Sequence, residues 1–371
     1  MNEPIAEFLE TYKEKKNSHK CHRLNLKYYF NYVKVDPSKY FKKKRDYGTD
    51  YEEYAKTMTH LSRCTRASRL GTVKLFLEEN DIIIPKKTLR KTKIKNKPQT
   101  IDEIPSIGEL KQILSHGNCK DRAWSLFAAT SGCRISEILQ LKFVDIPSIR
   151  KLERNEKIIF PVKVYIRGEI SKNEEPRITF ISSECWEALI EWLKERENYL
   201  NTAAKRINHR YKKDTEDDRI FPFSYSIAYK GWHRLLRKAN FLDKENKVGI
   251  DPSTGIARMH LHVLRAFFKN RLISANVQER YIETILGHIG YVGGAYDKYD
   301  DKTLADAYSQ GEHALLVFTS TPDLSGVHEL LKEVTEVNKD LLKEIELMKQ
   351  RIHLMEMEKK VAEIDKKVNT R

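Results

Sequence analysis

Only two short runs in this 371-residue chain read as β-structure, KVYIRGEIS and EPRITFIS, and the KNE between them makes them a hairpin. Other patterned stretches carry the helical period, with apolar residues three and four apart. IPSIGELKQILSH and DRAWSLFAATSGCRISEILQLK read as helices before the hairpin. CWEALIEWLKERENYL, YKGWHRLLRKANF, HLHVLRAFFKNRLIS and ERYIETILGH read as helices after it. The chain is therefore expected to be mainly α with one small β-hairpin, an α+β arrangement dominated by helices. Trp124, Trp186 and Trp232 fall on apolar helical faces and are expected in the core.

A chain of this length accommodates two or three folding units. The first 90 residues form a small helical domain by the same criterion, through IAEFLETYKE, CHRLNLKYYFNYVK and SRLGTVKLFLEEN. Charge is concentrated there. Residues 1–95 hold 23 basic and 12 acidic side chains, so +11 of the net +15 lies in the first quarter, whereas residues 320–371 hold 10 basic and 11 acidic. That excess points to a polyanion, nucleic acid before membrane. Residues 86–99, KKTLRKTKIKNKPQ, hold seven cations and no acid. Their later part, 91–99, reads as a linker, either simply solvated or a strap along a phosphate backbone. The aromatic cluster YYFNY, residues 28–32, could stack on bases, but helix packing is the expectation. His19, His22 and His60 carry no assigned role.

The five cysteines, Cys21, Cys64, Cys119, Cys133 and Cys185, have no CxxC or zinc-like spacing, which fits free thiols in a reducing compartment. The first residues carry acids where a secretory signal needs cations, and no apolar run approaches the ~20 residues of a membrane span. A soluble intracellular protein without a membrane partner is expected.

The last segment, 324–371, has its own pattern. Leu324, Leu331, Asn338, Ile345 and Ile352 recur every seventh residue, as do Val327, Val334, Leu341, Met348 and Met355. The two series form the a/d seam of a left-handed coiled coil, with Asn338 as a register-setting core polar residue and the two methionines softening the later seam. Self-association through this tail is expected, the alternative being one long helix packed back on the body.

Three fragments carry chemistry. In TSGCRISEILQLK, Ile135, Ile138 and Leu139 face a core, Arg134 opens the helix after a bend at Gly132, and Glu137 sits three residues on, able to hold the guanidinium. In MHLHVLRAFFKNRLI, His262 and Arg265 are three apart and share a helical face, a pair suited to a phosphate. In ILGHIGYVGGAYDKYD, His288 follows a glycine turn and Tyr296 comes eight residues later. Each alone is weak, because exposed arginines and histidines are common. Their order carries the information: an arginine, a hairpin with a lysine, HxxR, LGH, then a tyrosine.

In that order SGCRISEILQLK, HVLRAFF and LGHIGYVGGAY resemble the three signature boxes of the tyrosine recombinases, also called phage integrases. The GGAY spacing and appended coiled coil look most like integrases of archaeal viruses and plasmids. The resemblance covers residues 100–310 by motif, rests on size, charge and helical style over the first 95, and leaves the tail outside. It implies a helical core-binding domain at 1–90, a basic linker at 91–99 and a catalytic domain at 100–318, with the coiled-coil tail at 324–371 read from its heptads alone. It also implies that Tyr296 is the nucleophile, that Arg134 and Arg265 clamp the phosphate with His262 and His288 beside them, and that Lys172 is the hairpin lysine. Glu137 matches the acid that follows the first arginine. Ala266 stands where the family often has histidine, and the step from His288 to Tyr296 is one residue short of the usual one. That shortening keeps Tyr299 and Tyr291 as neighbouring alternatives; His260 is a weaker rival to His262.

The set makes chemical sense by itself. Two guanidiniums and an imidazole would neutralise charge building on the non-bridging oxygens of a phosphodiester in the transition state. A tyrosine hydroxyl needs help to lose its proton, with His262 as base, and Lys172 could protonate the departing 5′ oxygen. No cofactor or metal is expected, since ligand spacings and a GxxxxGK[ST] loop are missing from the sequence. The expected partner is double-stranded DNA, clamped by the helical and catalytic domains, with homo-oligomers on DNA (four protomers by the resemblance) and a cytoplasmic, nucleoid-associated location. A type IB topoisomerase is the enzymatic alternative. A catalytically dead DNA-binding architectural protein and a coiled-coil scaffold with incidental charge are the others.

Overall fold

The computed structural model describes residues 3–94, 101–206, 214–288 and 299–319, apart from Lys43, Lys244 and Ser253, together with Met348 and Lys349. The heptad tail otherwise lies outside the described residues. Two compact units are formed, one from Met1–Glu103 with Asn240–His260, the other from Ile104–Ala239 with the described residues after Leu261.

The first unit contains helices α1 (Glu3–Glu10), α2 (Lys16–Val33), α3 (Pro37–Tyr40), α4 (Tyr47–Thr57), α5 (Arg63–Glu79) and α6 (Lys86–Thr92). Their starts are chemically encoded. Asp36, Asp46 and Ser62 accept backbone N–H groups of Ser38, Thr49 and Thr65, donors that would otherwise be orphaned. The core is aromatic: Phe8, Tyr29, Phe30, Tyr40, Tyr51, Tyr54 and Phe76 are buried. The Tyr29 and Tyr40 hydroxyls meet at 2.5 Å, and Tyr40 donates at 3.2 Å to Asp50, which the Arg45 guanidinium grips through two bonds. Thus Tyr29 and Phe30 of the YYFNY cluster serve packing, while Tyr28 is exposed beneath the Arg69 guanidinium, 3.8 Å above its ring.

The basic stretch is less strap-like than its charge suggests. Lys86–Thr92 is helical, and Leu89 and Ile94 pack on the first unit's core, because the cations are interleaved with apolar residues. The segment Asn240–His260 belongs to the same unit although it comes from within the expected 100–318 domain. The Asp251 carboxylate accepts the Ile101 N–H at 3.0 Å, the Glu103 N–H donates to the Arg258 carbonyl, and His260 meets Asp102 at 3.0 Å.

The second unit contains α7 (Ile107–Ser115), α8 (Cys119–Ser131), α9 (Ile135–Ile138), α10 (Ser148–Glu153), β1 (Val162–Ile166), β2 (Arg177–Ile181), α11 (Ser183–Ala204), α12 (Tyr225–Lys238), α13 (Val263–Ser274), α14 (Glu279–Leu286) and α15 (Asp301–Glu312). Helix α8 is its axis. Residues Ala123–Ser131 are all buried, and α7, α9, α11, α12, α13 and β2 pack around them. From Ala123 on, α8 carries only apolar and small hydroxyl side chains, so it can be buried all round, and each large apolar side chain so buried contributes about 1.5–3 kcal/mol. Trp124, Trp186 and Trp232 lie in this core, as their helical phase predicts.

The strands pair antiparallel from Val162 opposite Ile181 to Ile166 opposite Arg177. They are shorter than KVYIRGEIS and EPRITFIS suggest. Gly168–Ile170 forms a 3-10 turn, Glu174 adopts φ 61°, and Pro176 has no N–H to offer a ladder, so KNE sits within a longer loop. DRAWSLFAATSGCRISEILQLK divides at Gly132, whose φ of 63° ends α8 in a left-handed cap. A Cβ there would lie 2.5 Å from Phe268 and 2.7 Å from Leu286.

Gly132→Ala is therefore expected to destabilise the protein by about 2–4 kcal/mol, from left-handed strain plus overpacking. Gly71, inside α5 with open space around it, is the counter-case, where alanine should add about 0.5–1 kcal/mol. Chemical unfolding midpoints of the two variants should move in opposite directions.

Candidate active site

The site is built where two helix C-termini meet. The last carbonyls of a helix have no partner within it, and at the end of α8 three find one from elsewhere. Tyr308 of α15 donates to the Thr130 carbonyl at 2.9 Å, Thr179 of β2 to Ser131 at 2.7 Å, and Arg265 of α13 to Gly132 at 2.5 Å. At the end of α14 the Ile285 carbonyl accepts from Arg177 at 3.1 Å and the Leu286 carbonyl from Arg265 at 2.7 Å. The Gly287 carbonyl accepts from Asn173 at 3.3 Å. Gly287 has φ 70°, and a Cβ on it would sit 2.6 Å from the Arg177 stem, so the glycine of LGH gives both the turn and the room for that arginine.

Arg265 thus bridges the negative ends of two helix dipoles, a favourable place for a cation. It is only 4 % exposed. Burial pushes its pKa down to about 10, with the nearby Arg134 guanidinium adding to the effect and Glu137 opposing it. A value near 10 still leaves it charged at neutral pH, and since among the described residues no carboxylate pairs with it directly, its charge is left for an anion.

Glu137 is the hub of the second half. It is fully buried on α9. Arg134, the residue capping α9, donates its backbone N–H to Oε2 at 2.8 Å and its guanidinium to Oε1 at 2.9 Å. Arg177 donates to the same two oxygens at 2.7 Å (Oε2) and 3.2 Å (Oε1). Burial pushes the Glu137 carboxyl up, but the Arg177 guanidinium and the Arg134 bonds outweigh it and hold it below the ordinary glutamate value. Arg134 is about one-fifth exposed, so one edge of a fixed guanidinium faces outward.

His288 follows Gly287. Its Nε2 lies 2.9 Å from an Arg265 nitrogen, and its Nδ1 is bound to Glu283, which also pairs with Lys269. A guanidinium only donates, so Nε2 accepts and Nδ1–H donates to Glu283; the neighbours set the tautomer. His262 immediately precedes α13, is exposed, and its carbonyl accepts the Arg265 N–H at 3.1 Å. Lys172 is exposed on the hairpin loop, next to the Asn173 that bonds the end of α14. His260 lies in the other unit, paired with Asp102. Tyr299 packs edge-on against Tyr281 at 4.8 Å. Tyr296 and Tyr291 lie outside the described residues.

The structure therefore brings Arg134, Glu137, Arg265 and His288 together, and ties the hairpin bearing Lys172 to the same place. Arg177 is a member that motif reading passes over. Its signal was a phase relation: it stands two and four residues from Thr179 and Ile181, both buried, so its guanidinium required an internal partner. Three guanidiniums around one buried carboxylate leave a surplus of positive charge, suited to a dianionic or transition-state phosphate oxygen. Among the described residues no group of three or more His, Cys, Asp or Glu could hold a metal ion, and no helix is long and apolar enough to cross a membrane.

Known proteins are similar to this chain in sequence and in fold. The tyrosine recombinase XerD of Rickettsia bellii (strain RML369-C) is 29% identical over 194 residues, 51% of this chain and 55% of that protein. XerD of Rickettsia conorii (strain ATCC VR-613 / Malish 7) is 25% identical over 198 residues, 51% of this chain and 56% of its own. The chain spans about half the length of these curated relatives. In fold, it is similar to the lambda integrase tetramer bound to a Holliday junction, with a TM-score of 0.50 at 13% identity over 80% of this chain and 79% of that one. A Tn1549 transposon integrase in complex with a circular intermediate DNA gives 0.50 at 14% identity over 90% and 100%. Residues 100–291, just over half of the chain, match the family model described as the phage integrase family, and the protein belongs to that family.

Proposed function

We propose that this protein is a site-specific DNA recombinase that cuts and rejoins strands through a 3′-phosphotyrosyl intermediate. The observation that carries the reading is the fixed, under-neutralised pair Arg134 and Arg265, one held by Glu137, the other by two helix C-termini. Such preorganised cations stabilise charge where it develops, without reorganising during the reaction.

In the proposed reaction the Tyr296 hydroxyl oxygen attacks the scissile phosphorus as His262 takes its proton. Arg134 and Arg265 bind the non-bridging oxygens, with His288 oriented beside them by Glu283. The bond from phosphorus to the 5′ oxygen breaks, and Lys172 gives that oxygen a proton. Attack by a 5′ hydroxyl from a second duplex reverses the steps and releases the tyrosine. The phosphotyrosyl link keeps the energy of the original bond, so rejoining needs no ATP, and the two guanidiniums supply the charge a metal would otherwise bring.

The helical domain at 1–90 and the linker at 91–99 would hold the duplex mostly by its phosphates, since the charge surplus lies there. The heptads at 324–371 would assist assembly of protomers, four on paired sites. The full proposal includes a cytoplasmic, nucleoid-associated protein related to integrases of archaeal viruses and plasmids, supported by the GGAY spacing and the appended heptads.

A nicked duplex bearing an attachment site should trap an SDS-resistant protein–DNA adduct in EDTA, mapped by mass spectrometry to Tyr296 and lost in Tyr296→Phe. An adduct on Tyr299 would move the nucleophile; none on any substrate, with tight DNA binding, would favour a binding protein without activity. Binding measured across a salt series should weaken steeply, with log Kd rising about 0.9 per log unit of salt for each phosphate contacted. Removing residues 324–371 should lower the number of protomers per particle in solution and slow synapsis; an unchanged protomer number and rate would leave the tail no part in assembly.

A further inference from the structure

We infer that Arg177 is a positioning residue of the phosphate clamp, acting through Glu137 on Arg134; this rests on the recombinase reading above. All three guanidinium nitrogens of Arg177 are already engaged by protein groups, Nη1 and Nη2 by Glu137 and Nε by the Ile285 carbonyl, so it acts through those partners. Two parallel bonds join it to Glu137 at 2.7 and 3.2 Å, and its Nε donates to the Ile285 carbonyl at 3.1 Å. The fork matters. A carboxylate gripped by a planar guanidinium has both its position and its plane set, which an ammonium, as a point charge, does not achieve.

With Arg177 on one side, the four bonds at Glu137 leave Arg134 one orientation. Without it, the carboxylate could rotate about its last bond, and the Arg134 guanidinium would rotate with it. The same arginine spans β2 and the end of α14, so it also keeps Gly287 and His288 in register with Arg134. It thereby links the two halves of the clamp without touching the reacting atoms.

A purely structural arginine would make the same contacts, so the test must read the clamp separately from the fold. Single-turnover cleavage would be measured on nicked duplexes carrying either an ordinary phosphodiester or a methylphosphonate at the scissile position. The methylphosphonate has lost the negative charge that the clamp neutralises. Arg177→Met should cleave the phosphodiester about 10²-fold more slowly, as expected for a clamp displaced by about an ångström, but the methylphosphonate within about threefold of the wild type. Arg134→Ala should show the same selective pattern. Arg177→Lys, which keeps the charge but not the fork, should behave as Arg177→Met does; it also gives the same comparison if circular dichroism shows the methionine variant unfolded.

Equal losses on both substrates in a folded variant, or full phosphodiester activity in Arg177→Lys, would overturn the inference. A wild-type protein that forms no adduct on either substrate would instead count against the recombinase reading itself.

Discussion

The second unit depends on one buried cation held between the ends of two helices. Arg265 donates to the last carbonyl of the α8 cap and to the last residue of α14, and so joins elements about 150 residues apart in sequence. Bonds to a charged group contribute roughly 1.5–3 kcal/mol each, and the two helix dipoles add to that. The stabilisation offsets the desolvation of a guanidinium that is only 4 % exposed. Removing such a partner from a buried site typically costs about 3–5 kcal/mol. The same bonds that solve the backbone problem hold the guanidinium in one orientation, so stability and preorganisation arise from a single arrangement.

Glu137 solves the complementary problem. Three arginines close together repel one another, and Arg134 contributes to the lowering of the Arg265 pKa. One fully buried carboxylate, kept ionised by Arg177 and Arg134, relieves part of this repulsion. It relieves only part, which is what the proposed phosphate clamp needs. Full neutralisation would leave no field for an anion, and none would leave a cluster that would not stay folded. The glycines follow from the same packing: Gly132 lies against Phe268 and Leu286, Gly287 against Arg177. Their left-handed turns end the helices where those carbonyls are wanted.

The unit's axis and its chemistry are also one object. Helix α8 is buried from Ala123 to Ser131 and ends at the Gly132 carbonyl that holds Arg265. A central helix is the least mobile element of a domain, so a group attached to its end inherits that rigidity, as the proposed clamp requires. The hairpin is held differently. Its strands are packed, yet its loop is fastened to the end of α14 through Asn173, leaving Lys172 exposed beside a fixed anchor. That arrangement suits the proposed role of Lys172, a proton donor that must approach and leave a reacting oxygen.

Local sequence determined the helices, the hairpin, the caps and the order of the chemical boxes, because these depend on residues a few positions apart. The phase of apolar residues placed Trp124, Trp186 and Trp232 inside, and the glycine in SGCR announced the bend that presents Arg134. Only the tertiary structure decided the partners. That Arg265 would bind the Gly132 and Leu286 carbonyls, that Arg177 would share Glu137, and that Asn240–His260 would join the front unit are all long-range outcomes. An arginine's sequence neighbours show that it is buried or exposed, but not which carboxylate or helix end lies within reach. That choice belongs to the packing of α8, α13 and α14, where distant backbone groups come within hydrogen-bonding range.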